Sequence, residues 1–421
     1  MRADLLVHDI TRLYTCDPAT PGLGEIERAS VAFQGGRVVY VGPAAHAPDA
    51  DATIDGRGLI GLPGLVDPHT HAVWAGSRGP EFAARLAGAS YTEILEAGGG
   101  ILSTVAQTRA APQGALIQMA RARLEGMVRR GVTTVEVKSG YGLNPATEAR
   151  ILAAARASGP ARISTTFLGA HAVPAELRQR RDAYVRQIID EQLPLAAPLA
   201  DAIDVYCDRG AFTLDESMEI LRAGKAAGLA VRAHAEQVAY TGIAEAAARL
   251  GATAVDHLER LDDAGVAALA EHGTVAVLLP GAQLYLRDTA PPVAALRAAG
   301  VRLAVGTDLN PGSSPVHDLW AAALLGCVLQ GLTVEEAVLG VTRHAGAALG
   351  RADLGWLGPE SVADLALFAP PPGEGAQVSA LIQQLGFAAA RHVIRDGRVL
   401  WQEGARSPFL DQAESTLDVA G

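Results

Sequence analysis

Two histidines one residue apart, His69 and His71, follow an apolar run from Leu62 to Val66 and the acid Asp67. Side chains alternate faces along a strand, so both imidazoles point to one side. Two imidazoles on one side of a strand end are half of a site for a divalent metal. His234 closes Val231-Arg-Ala-His234, His257 closes Val255-Asp-His257, and Asp308 closes Val305-Gly-Thr-Asp308. With His171, at the end of Phe167-Leu-Gly-Ala-His171, five of the eleven histidines fall at the ends of strand-like runs. Independent structural histidines would not converge in this way. His69, His71, His234 and Asp308 offer three neutral imidazoles and a carboxylate, a set that holds one Zn2+ or Fe2+ and leaves room for water. Such an ion lowers the pKa of water and polarises a carbonyl. Asp308 is placed to take the proton of that water, and His257 to hydrogen-bond the nucleophile or an oxyanion. The other histidines, His8, His46, His272, His317, His344 and His392, read as surface or core residues.

Positioning these groups falls to an alternation of strands and helices. Strand-like runs occupy 64–69, 133–138, 163–168, 202–206, 230–234, 253–257, 274–279 and 302–307. Helical patterns separate them, as at 116–130 and 214–227, and Thr213/Glu216 and Thr333/Glu336 carry the capping-box signature. Eight such units predict an α/β fold, a (β/α)8 TIM-like barrel with its site at the C-terminal strand ends. A doubly wound sheet is the alternative, but no glycine-rich nucleotide fingerprint follows the first strand. Both ends of the chain read as hairpins, turning at Gly35-Gly36 and at Asp396-Gly397. They predict a small β-sandwich domain assembled from the N- and C-terminal segments, 1–62 plus 357–421, around a barrel of 63–356.

At 421 residues with 49% hydrophobic content, the chain suits one large and one small folded unit. A formal net charge of −11 gives no support to binding nucleic acid or an anionic membrane. No apolar stretch reaches the length of a membrane span, and the N-terminus lacks the pattern of a signal peptide. Cys16, Cys207 and Cys327 are few, odd in number and widely spaced, which suits a reducing compartment. A cytoplasmic location is the expectation.

These residues resemble the amidohydrolase superfamily. Within it they are similar to the branch that hydrolyses the ring amide of 4-imidazolone-5-propanoate to N-formimino-L-glutamate in histidine breakdown. Beyond the metal motifs the likeness rests on Ala75-Gly-Ser-Arg78, Gly98-Gly-Gly-Ile101, Val135-Glu-Val-Lys-Ser-Gly-Tyr-Gly142, Phe167-Leu-Gly-Ala-His-Ala-Val-Pro174 and Thr307-Asp-Leu-Asn-Pro-Gly-Ser313. It covers nearly the whole chain. The resemblance implies a small anionic substrate whose carboxylate tail meets Arg78, with Tyr141 and His171 touching the ring. It places the product near Asn310, Gly312 and Ser313. Tyr91 is a weaker candidate, and Gly98 to Gly100 a possible lid hinge. A homodimer is also implied.

The chain departs from its mononuclear deaminase relatives after His234, where it reads Ala-Glu-Gln. Those relatives, and some within the branch it resembles, carry a proton-shuttling glutamate three residues beyond the histidine. Gln237 can only hydrogen-bond, so it is expected to orient substrate while Asp308 and His257 move protons. Whether Glu236 reaches the pocket is open, as is the choice for Lys138 between a buried ion pair and a substrate role. Binuclear members bridge their metals with a carboxylated lysine on the fourth strand. Ile203-Asp-Val-Tyr-Cys207 has none, so one ion is expected. Two competing readings are another mononuclear cyclic amidohydrolase or deaminase, and a metal-free scaffold.

Overall fold

A computed structural model describes residues 2–89, 93 and 98–405. Eight parallel strands form its centre: β6 (Leu65–Asp67), β7 (Val132–Lys138), β8 (Arg162–Ala170), β9 (Ala202–Cys207), β10 (Ala230–Ala235), β11 (Ala254–His257), β12 (Val275–Leu278) and β13 (Leu303–Val305). They pair strictly in chain order from β6 to β13. A bridge between Thr70 and Leu309 joins the segments that continue the first and last strands. This is the predicted barrel. Its strands are rich in β-branched residues and largely buried, β7 from end to end as Val132-Thr-Thr-Val-Glu-Val-Lys138, because helices cover the outer face and side chains fill the inner one. Both capping boxes form, with Thr213 and Thr333 each accepting from the third helical N–H while Glu216 and Glu336 reach back.

Strand β6 ends two residues short of the predicted boundary. Pro68 has no N–H to donate, and the carboxylate of Asp67 takes the amide protons of His69 and Thr307 (3.3 and 3.2 Å) in place of ladder bonds. The chain stays extended through His71 even so.

Strands β1 (Ala3–Tyr14), β2 (Glu25–Gln34), β3 (Arg37–Pro43), β4 (Ala50–Asp55) and β5 (Ile60–Pro63) join β14 (Leu365–Phe368), β15 (Ala390–Arg395) and β16 (Arg398–Gln402) in one mixed sheet. The two-residue turns stand where predicted, with Gly35, Gly36, Asp396 and Gly397 all at positive φ. A bridge between Arg37 and Val362 brings the far edge back towards β14. The sheet thereby encloses a core that includes Val7, Ile10, Val31, Phe33, Leu365 and Ile394. It rests on the N-terminal end of the barrel: Gly64 donates to the Asp364 carbonyl at 3.0 Å, and Arg162, first residue of β8, pairs with Asp364 at 2.6 Å. The opposite, C-terminal rim is left clear for chemistry.

Candidate active site

The rim begins with Thr70, which sets the orientation of its two neighbours. Its hydroxyl donates to the Glu136 carbonyl at 2.6 Å and its own carbonyl accepts from Lys138 at 2.9 Å. Thr70 is thus pinned towards β7, and His69 and His71 turn the other way, into the barrel. Asp308 arrives from beyond β13 with φ 50°. Its Oδ1 stands 3.3 Å from His69 Nε2 and 3.6 Å from His71 Nε2. His234, near the end of β10, joins them, and the ligating nitrogens of His69, His71 and His234 lie within 4.8 Å of one another.

The donor set fits a divalent cation. His234 Nε2 is buried without a hydrogen-bond partner, and His69 Nε2, equally buried, has only the Asp308 carboxylate at 3.3 Å, an unfavourable arrangement unless something else satisfies them. Burial and the neighbouring imidazoles hold His71 well below the usual histidine value, so it is neutral, the form that ligates metal. His69 goes the other way. Against burial and the Lys138 ammonium, the carboxylates of Asp256 and Asp308 raise it to about 9. A positive charge is therefore favoured between His69 and Asp308, which is what a bound cation supplies.

Beneath these side chains lies a layer of charge that sequence reasoning largely misses. Lys138 Nζ is 2.8 Å from both Glu136 and Asp204 and 3.3 Å from Asp256, all fully buried. Arg232 donates to Asp256 at 3.1 Å and to the Pro68 carbonyl at 2.8 Å. Burial and the Arg232 charge work against the Lys138 ammonium, but the three carboxylates prevail and raise its pKa. The open choice for Lys138 thus falls to the buried ion pair. The layer also orients the ligands from behind: His69 Nδ1 donates to Asp256 at 2.9 Å, and His234 Nδ1 lies 3.1 Å from Asp204. The available signal was parity, since Glu136/Lys138 and Arg232/His234 are pairs two apart on inward-facing strands.

The remaining predicted residues divide by what they touch. His171 stacks on His71 (centroids 4.9 Å, 15° between planes) and donates from Nδ1 to the Gly140 carbonyl at 3.1 Å. That bond fixes its tautomer, and burial reinforced by His234 lowers its pKa to about 3. Glycine is needed at 140, where φ is 104° and a Cβ would sit 2.7 Å from His171 Nδ1. Tyr141 is buried with its ring 5.8 Å from that of His71 and 5.4 Å from that of His171. His257 is 5.4 Å from His234 and 5.8 Å from His69, ring to ring. Gln237 is buried after the end of β10. The backbone at Glu236, by contrast, has φ 54°, and its carboxylate accepts from Thr241 and Ala244 at 2.6 and 3.1 Å. Glu236 is tied into its own loop rather than into the site.

Arg78 reaches the loop that follows Asp308. A Cβ at Gly312 would lie 2.9 Å from Arg78 Nη1, so glycine there admits the guanidinium. Glu81 anchors the other side of Arg78 at 2.5 Å. Asn310 holds that loop's shape: its Oδ1 accepts from the N–H groups of Gly312 and Ser313 at 2.8 and 2.7 Å, and its Nδ2 donates to Ser313 Oγ at 3.0 Å. The side chains of Asn310 and Ser313 are thus engaged with each other. Trp74, Ser77, Arg78, Arg123, Tyr285 and Pro311 line an adjoining cavity of about 380 Å³. Tyr91 lies outside the described residues.

A parallel barrel whose rim gathers three imidazoles and a carboxylate defines a class, and the comparisons agree. The chain belongs to the amidohydrolase family, whose model matches residues 60–400. It is a hydrolase of carbon–nitrogen bonds, and its site is built for a divalent metal. Its relatives include the imidazolonepropionase of Methylobacterium nodulans, 47% identical over 94% of this chain and 100% of the relative. The imidazolonepropionase of Acidiphilium cryptum is 50% identical over 83% of this chain and 88% of its own length. Among solved structures, the atrazine chlorohydrolase of Arthrobacter aurescens complexed with zinc matches with a TM-score of 0.78 at 18% identity, covering 99% of each chain. An adenosine deaminase from Xanthomonas campestris with bound zinc gives 0.73 at 18% identity, over 99% of this chain and 98% of its own. Among the described residues no helix is long and apolar enough to cross a membrane.

Proposed function

We infer that this protein hydrolyses 4-imidazolone-5-propanoate to N-formimino-L-glutamate, a reading supported by its likeness to proteins named imidazolonepropionase. The observation that carries the reading is the approach of Asp308 Oδ1 to the Nε2 atoms of His69 and His71, at 3.3 and 3.6 Å, beside Arg78 packed on Gly312. Ring opening forms a carbon–oxygen bond at the ring carbonyl and breaks the bond from that carbon to nitrogen. One proton leaves the attacking water and one must reach the departing nitrogen. His69, His71, His234 and Asp308 would hold one divalent ion, which makes water nucleophilic near neutral pH and polarises the carbonyl. Asp308 accepts the water's proton. His257 stabilises charge on the carbonyl oxygen and delivers a proton to the ring nitrogen.

Binding is divided among the other groups. Arg78 pairs with the propionate, a charge-assisted contact that lysine would reproduce poorly. Tyr141 and His171 flank the ring, and His171, with its Nδ1 proton spent on Gly140, presents Nε2 as an acceptor. Gln237 orients the ring; its amide makes no hydrogen bond to the other described residues. Asn310, Gly312 and Ser313 shape the wall where product collects. Zinc is the first ion to test, since both solved neighbours carry it, and ferrous iron suits the same donors. A homodimer in the cytoplasm, with its cysteines as free thiols, completes the reading. Mass identification of N-formimino-glutamate after incubation with the imidazolone tests it. Turnover of hydantoins or pyrimidines with none of the imidazolone would overturn it.

A further inference from the structure

A proton-carrying role for His257 leaves its other ring nitrogen to be accounted for. Nδ1 of His257 is buried and has no hydrogen-bond partner. Facing it is Glu259, whose Oε1 is 3.8 Å away. Glu259 is only 7% exposed, and its Oε2 has no partner either. A buried carboxylate and a buried imidazole nitrogen, each unpaired, are each unfavourable, and a hydrogen bond between them relieves both.

The backbone holds the two groups together under strain. His257 has φ 80° and Leu258 has φ 78°. Successive non-glycine residues in this region persist only where their surroundings over-determine them, and such strain clusters at working sites. Here the Leu258 N–H donates to Ala235 at 3.0 Å and the Arg260 N–H to Glu236 at 2.7 Å, fastening the turn to the end of β10 on both sides. The other ionisable groups facing His257 are His234 from β10, His69 from the first strand's continuation and Asp308 from the last. Of these only Asp308 is acidic, and it stands among the ligands.

We propose that Glu259 is a positioning residue for His257. Its carboxylate accepts the Nδ1 proton and fixes the ring orientation and tautomer that leave Nε2 free for the reacting atoms. The proposal rests on the function assigned above and concerns a contact that tightens in the working complex, as catalytic hydrogen bonds commonly do.

The test compares wild type with Glu259→Gln and Glu259→Asp, all zinc-loaded and with zinc content measured. Nitrogen-15 NMR follows His257, whose signals are assigned by their loss in His257→Asn. In wild type, at one fixed pH, the His257 proton sits on Nδ1; in Glu259→Gln, which has lost the carboxylate acceptor, it is shared between the two ring nitrogens. In the same variant kcat falls about ten- to a hundred-fold while KM is little changed. Glu259→Asp, which keeps the carboxylate, restores part of both. An unchanged His257 tautomer in Glu259→Gln overturns the proposal, as does a loss of activity explained by lost zinc or a lower melting temperature. Should wild type fail to open the imidazolone ring, the functional reading falls, while the NMR tautomer measurement still decides the pairing.

Discussion

The main-chain N–H of Asp308 donates to the carbonyl of His69 at 3.0 Å, while its carboxylate stands 3.3 Å from the same histidine's Nε2. One contact closes the barrel between its first and last strands, and the other brings their candidate ligands face to face. Asp308→Asn keeps the shape and removes the charge. Turnover should fall by about 10²–10⁴-fold, the scale of a lost general base, even in preparations that retain metal. Metal content and kcat measured on one sample decide this. Wild-type activity in metal-replete Asp308→Asn would refute the proton-accepting role.

Arg78 offers a separable prediction. The contact proposed for it with the propionate would be made in ground and transition states alike, so Arg78→Ala should raise KM by about ten- to a hundred-fold with a smaller change in kcat. A substrate analogue lacking the carboxylate should not distinguish the variant from wild type. An unchanged KM would remove Arg78 from the binding site.

The pH dependence of metal binding follows from His69. Without a cation its pKa stands at about 9, so below that pH a metal must displace a proton. Affinity should rise as pH climbs towards 9, level off above it, and be accompanied by proton release. Calorimetry of zinc binding in buffers of different ionisation enthalpy measures this. An affinity that stays flat from pH 6 to 9 would contradict it.

The charge layer under the site predicts a stability effect. Lys138 is held by Glu136, Asp204 and Asp256 with no exposure to solvent. Lys138→Met would leave Arg232 and the imidazoles of His69 and His234 as the remaining partners of three buried carboxylates, and breaking a buried pair costs about 3–5 kcal/mol. Chemical denaturation of metal-stripped protein isolates this from any change in metal affinity. A loss below about 1 kcal/mol would mean that the carboxylates rearrange freely.

Much of this architecture is legible in the chain because burial imposes simple periods. Fully buried parallel strands read as apolar runs, and a polar residue ending such a run stands out, which is how His69, His234, His257 and Asp308 come into view. Two-residue turns at Gly35-Gly36 and Asp396-Gly397 carry their own backbone requirement. What stays hidden depends on closure. Parity does not place Asp256, the immediate neighbour of His257, and the service of Asp204 and Asp256 to His234 and His69 depends on which strands become neighbours and how their residues align. Parity also misleads where the backbone turns: Glu236 shares the alternation of His234, yet a positive φ swings it into the loop. The strained His257–Leu258 turn leaves no mark in residue type, since neither position is a glycine.

The central claim is that a single ion held by His69, His71, His234 and Asp308 makes this chain an imidazolone hydrolase. Its most direct test follows the ultraviolet absorbance of 4-imidazolone-5-propanoate with enzyme stripped by chelator and then titrated with zinc or ferrous iron. Activity should be absent at first, rise in proportion to bound metal, and saturate at one ion per chain. Full activity in the stripped protein, or a replete protein that leaves the imidazolone untouched, would contradict the account.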